Sequence, residues 1–83
     1  MMGITEMPKT QFTLRGEYIA LDDLLKASGL APSGGAAKIL IASGAVLLDG
    51  VPELRKTKKV RAGQVVRTKD EVIDVLASAS TEQ

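Results

Sequence analysis

The sequence predicts a small α+β domain, and three observations carry that prediction. Two segments with helical spacing lie between residues 21 and 44, joined by a short Gly- and Pro-containing corner. An Asp49-Gly50 pair between apolar residues marks a two-residue hairpin. Short Val-rich runs separated by turn residues then fill the rest of the chain. At 83 residues there is room for a single domain. Phe12 and Tyr18 are the only aromatic residues, so the core must be built from Leu, Ile, Val and Ala.

Residues 1–10 mix Gly, Pro and polar residues without a period and are expected to form a flexible leader. Gln11-Phe12-Thr13-Leu14-Arg15 alternates as a strand would, with Phe12 and Leu14 inward. Leu21, Leu24, Leu25 and Ser28 then recur at helical spacing, and Asp22 and Asp23 occupy the dipole-favoured first turn. Ala20 is a poor N-cap for this helix, whereas Gly29 and Leu30 suit a Schellman ending. The second helix starts at Ser33, a good N-cap, and stops at Gly44. Ala45-Val46-Leu47-Leu48 leads into the hairpin, and Pro52 implies a short or edge return strand. Ala62-Gly63 should turn the chain into a strand over residues 64–68, and Lys69-Asp70-Glu71 should turn it again. Val72-Ile73-Asp74-Val75-Leu76 fits either a strand or a helical turn by spacing, and its β-branched residues favour the strand. Residues 11–76 thus form the domain, and residues 77–83 a flexible tail.

Composition removes several classes of function. Without cysteine there is no disulfide, thiol nucleophile or thiolate metal site, and without histidine the commonest general base and zinc ligand are both missing. Asp22 and Asp23 point about 100° apart on a helix, so they do not form a facing carboxylate pair. Ser28, Ser33 and Ser43 sit at helix edges, where capping is their ordinary role. Asp49 and Asp74 lack the converging oxygens of a calcium loop, and Ser33-Gly34-Gly35 matches neither the P-loop nor the dinucleotide fingerprint. A non-enzyme with no metal and no cofactor is expected. The apolar runs are too short for a membrane span, and the first residues do not resemble a secretory signal, so a cytoplasmic protein is expected.

Charge supplies the positive signal. Arg55, Lys56, Lys58, Lys59 and Arg61 put five cations into seven residues, in a chain whose formal net charge is only +1. A local patch on a balanced domain is the electrostatic footprint of a phosphate-rich partner, although a lysine-rich run can also be a merely solvated loop. On the second helix Lys38 shares a face with Gly34, Gly35 and Ala42. Such a face lets another molecule's backbone approach, and the free N–H groups after Ser33 would aim at an anion. It could equally serve helix packing through small residues. Two aromatics cannot furnish the stacking platform of a single-strand binder, and the second helix lacks the long polar side chains of a major-groove reader. Phosphate and 2′-hydroxyl contact with folded RNA remains.

The order Ile19-Ala20-Leu21-Asp22-Asp23-Leu24-Leu25-Lys26, Gly29-Leu30, Ser33-Gly34-Gly35-Ala36-Ala37-Lys38, Ile41-Ala42-Ser43-Gly44-Ala45-Val46, Asp49-Gly50 and Ala62-Gly63-Gln64-Val65-Val66 resembles the RNA-binding domain of small-subunit ribosomal protein four, the S-four or αL domain. It is similar above all to small stand-alone bacterial members, which carry a glutamate and a basic cluster after the hairpin, here Glu53 with Arg55, Lys56, Lys58 and Lys59. The resemblance covers about residues 12–76. It implies a two-helix corner packed on a small, bent, mostly antiparallel sheet. RNA would lie across the corner and the adjacent β-loop, meeting Ser33, Gly34, Gly35 and Lys38 on one side and Arg55, Lys56, Lys58, Lys59 and Arg61 on the other, with Lys26 as an outlying contact. Many members carry arginine where this chain has Gly34 and Lys38, which removes one fork-shaped phosphate donor and weakens another. Asp49 stands where Asn is common and brings a negative charge toward the expected surface.

The expected function is therefore non-catalytic binding of structured RNA, ribosomal or transfer RNA, by a monomer associated with the ribosome and not with membranes. A second reading, from another class, is a protein-interaction module whose basic loop meets an acidic partner.

Overall fold

The computed structural model describes residues 9–69 and 71–78. Seven short strands and two helices follow in the order β1 (Lys9–Thr13), β2 (Tyr18–Ala20), α1 (Leu21–Ala27), α2 (Gly34–Ala42), β3 (Leu47–Leu48), β4 (Val51–Pro52), β5 (Lys59–Arg61), β6 (Val65–Arg67) and β7 (Val72–Leu76). Five strands form one sheet in the order β1-β7-β6-β3-β4, while β2 and β5 pair separately as a two-stranded ribbon. All pairs are antiparallel except β1 with β7. The expected α+β class, two helices on a mostly antiparallel sheet, is what the chain adopts. No helix among the described residues is long and apolar enough to cross a membrane.

Local chemistry explains most boundaries. Asp49 and Gly50 take φ of 53° and 86°, the pair of positive values a two-residue type I′ turn demands. Gly29, at φ 86°, ends α1, and its N–H donates to the Lys26 carbonyl at 3.1 Å. The outer bond of the expected Schellman motif comes one residue late, from the Ala31 N–H to the Leu25 carbonyl. The Ser33 hydroxyl accepts the Ala36 N–H at 3.1 Å and caps α2 as expected. Ser28 and Ser43 hydroxyls donate back to the Leu25 and Leu40 carbonyls at the C-terminal ends. Residues 72–76 form a strand, paired on both sides.

The core is aliphatic. Leu21, Leu24 and Leu25 of α1 and Ala37 and Ile41 of α2 pack on Val46, Leu48, Val60, Val66, Ile73 and Val75, with Phe12 half-buried at the margin. Apart from the exposed β4, the strands turn one face to this core, as the alternation in β5 (exposed Lys59, buried Val60, exposed Arg61) shows most simply.

Three local expectations change. The first strand runs over Lys9–Thr13, two residues earlier than the alternation suggested. The ribbon strand β2 was not anticipated. The basic run is not wholly a loop, because its last three residues form β5 and pair with β2. The expected flexible leader, apart from its last two residues, lies outside the described residues. So does the expected tail beyond Ser78, and Asp70 within the expected 69–71 turn.

Candidate nucleic-acid interface

The missing cap of α1 organises the site. Ala20 offers no side-chain oxygen to the first turn, and two backbone carbonyls of the basic run take that role. The Leu21 N–H donates to the Lys58 carbonyl and the Asp22 N–H to the Lys56 carbonyl, both at 2.9 Å. The run is shaped for this. The Glu53 carboxylate accepts the Arg55 N–H at 3.0 Å, and the Lys58 N–H closes a turn onto the Arg55 carbonyl at 3.2 Å. Arg55 and Lys56 are exposed, while Lys58 is half-buried. Cationic side chains therefore stand on a main chain that is fixed to the start of α1.

Asp22 extends the link to α2. Its Oδ2 lies 3.2 Å from Lys38 Nζ, with the carboxylate side chain 8% exposed and the lysine 50%. Its Oδ1 accepts the neighbouring Asp23 N–H at 2.8 Å. Lys38 in turn folds back over the first turn of its own helix, since a Cβ added at Gly34 would sit 3.9 Å from its ammonium. Asp22 thus joins the basic turn, through its N–H, to the head of α2, through its carboxylate. Of the residues expected to bind, Ser33, Gly34, Gly35, Lys38, Lys56 and Lys58 are brought together in this way. Lys26 is exposed on the last turn of α1, one helical turn beyond Asp22.

Gly34 and Gly35 serve no evident internal need. Neither has a positive φ, and an added Cβ would meet only ordinary contacts, at 3.9 Å. As first-turn residues they have N–H groups without intrahelical partners. Their smallness leaves that end of α2 open to another molecule.

Lys59 and Arg61 continue the run on the outer face of the ribbon, where Arg61 pairs directly with Tyr18. The Lys59 ammonium lies 5.0 Å and the Arg61 guanidinium 5.7 Å from the Tyr18 ring centroid. Tyr18 was missed in sequence because three residues are too short a strand to read. Asp49 keeps its negative charge and spends both carboxylate oxygens inside the fold. Its carboxylate is held by the Val65 N–H at 2.9 Å and the Gln64 side-chain amide at 3.0 Å, and these bonds lower its pKa below the ordinary aspartate value.

The family model for the S4 domain matches residues 12–76. The chain belongs to the S4 domain family. Within it, this S4 domain is 45% identical over 60 residues to YbcJ of Escherichia coli K12, spanning 72% of this chain and 86% of that protein. The figures are the same for YbcJ of Shigella flexneri. The solution structure of E. coli YbcJ, described as revealing an αL motif involved in RNA binding, superposes with a TM-score of 0.63 at 36% identity. That match covers 93% of this S4 domain chain and 96% of YbcJ.

Proposed function

We propose that this S4 domain protein is a non-catalytic RNA-binding protein that grips the phosphate backbone of structured RNA, ribosomal or transfer RNA, as a cytoplasmic monomer. One observation carries the reading. The paired hydrogen bonds from Leu21 and Asp22 to the Lys58 and Lys56 carbonyls hold the basic turn beside the open head of α2. Phosphates would be neutralised by Arg55, Lys56, Lys58, Lys59, Arg61 and Lys38, with Lys26 at the margin. Gly34 and Gly35 would admit the RNA backbone to the helix N–H groups, and Ser33 keeps that turn formed. Membership of the family, and the RNA-binding motif described for YbcJ, support the same partner.

The test is binding of a labelled RNA stem–loop followed across salt concentration. If about five phosphates are neutralised, log affinity falls with log salt at a slope of roughly −3.5 to −4.5. An affinity independent of salt would rule the mechanism out.

A further inference from the structure

Tyr18 stands apart from the phosphate-gripping geometry. It is 46% exposed, in a chain whose other aromatic residue packs against the core. Among the described residues its hydroxyl has no hydrogen-bond partner, so polar anchoring does not account for its position. Ile19, the next residue, and its partner Val60 turn inward, which fixes Tyr18 and Arg61 on the outer face of the ribbon. Two cations flank the ring within cation–π range. Both belong to the same run that carries Lys56 and Lys58, so the ring lies where the basic turn passes into the ribbon. Tyr18 also borders an open groove of about 570 Å³ between β1 and α1, lined by Phe12, Leu14, Arg15, Gly16 and Ala27. Arg15 is exposed and adds a third cation there.

We infer that Tyr18, flanked by Lys59 and Arg61, is a stacking site for one unpaired nucleobase adjoining the paired RNA. The inference rests on the RNA-binding reading and adds to it a preference for a junction between duplex and single strand. One ring cannot carry a run of bases, but it can hold one, because every base presents a π face. Lys59 and Arg61 would serve the flanking phosphates, and the Arg61 guanidinium offers a second flat surface for the base. The groove gives the nucleotide a place to leave the helix.

The chain has one tyrosine and no tryptophan, so its intrinsic emission reports on Tyr18 alone. The experiment titrates the intact protein with a blunt RNA duplex and with the same duplex bearing a short oligouridine tail. The tail is expected to raise affinity about 5- to 150-fold, the range of a single base–aromatic stack. Tyrosine emission should be quenched by the tailed RNA and little changed by the blunt one. Tyr18→Leu should abolish the tail's advantage while leaving blunt-duplex affinity in place, and Tyr18→Phe should retain it. Duplex binding without a tail advantage or quenching overturns the stacking site alone. A tail advantage that survives Tyr18→Leu does the same. Failure of the wild-type protein to bind either RNA overturns the RNA-binding reading as well.

Discussion

Asp22 and Lys38 bridge the two helices across 3.2 Å, with the carboxylate almost closed off from solvent and the ammonium half in it. The lysine thus has two prospective partners, the buried carboxylate and an incoming phosphate. Removing it leaves the Asp22 carboxylate with the Asp23 N–H as its remaining partner among the described residues. Lys38→Met should lower stability by about 1–2 kcal/mol, less than for a fully buried pair because half of the lysine is solvated. In urea unfolding, a double-mutant cycle with Asp22→Asn should give a coupling of about 0.5–1 kcal/mol. A Lys38 variant that loses RNA affinity must therefore be compared at equal folded fraction.

Gly35→Ala separates internal from external reasons for the small-residue face. The added methyl fits, and helix propensity improves, so the free protein should gain about 0.4–1 kcal/mol in thermal unfolding. RNA affinity should nevertheless fall, because the methyl occupies the approach to the first-turn N–H groups. A variant that is both stabilised and fully active would show that the glycines are unrelated to binding.

Lys56 anchors through its carbonyl and presents an exposed side chain. Lys56→Ala should leave stability within about 0.5 kcal/mol, as for a surface site. The salt slope of RNA binding should become shallower by about 0.7–0.9. An unchanged slope would mean that this side chain meets no phosphate.

Asp49 makes stability depend on pH at the acid end. Its folded pKa lies below the ordinary value because the Val65 N–H and Gln64 amide favour the carboxylate. The unfolded chain therefore takes up the proton first as pH falls. The contribution is complete above the ordinary aspartate pKa and is lost as pH drops through the lowered one. Asp49→Asn should tolerate the positive φ and flatten this part of the dependence, seen as a smaller fall in melting temperature between pH 6 and about pH 3.

Much of the fold was legible because its signals are local. Ser33, Gly29, Gly44 and the Asp49-Gly50 pair each impose a conformation on their own few residues, and the structure holds all four in the expected roles. The unread parts depend on partners distant in sequence. Tyr18–Ala20 is a strand only because Lys59–Arg61 lies alongside it, and no pattern in three residues reveals that. Lys59-Val60-Arg61 did alternate as a strand does, but its charge drew it into the loop. Asp22 looked sufficiently explained by its place in a first helical turn. Its tie to Lys38 needs the helix corner, and its tie to Lys56 needs the β2–β5 ribbon, and neither can be seen before the chain is folded.

The carbonyl cap on α1 has a consequence for how this segment can diverge. Every residue type carries a carbonyl, so the identities of residues 56 and 58 can change without unseating the helix. Their spacing cannot. An insertion or deletion between them, or a proline at position 58 that abolishes the N–H closing the turn on Arg55, would uncap α1 and loosen the core beneath it. Proline at position 58 apart, the segment is thus free in side chain and fixed in length, which lets its surface chemistry change while the scaffold stays unaltered.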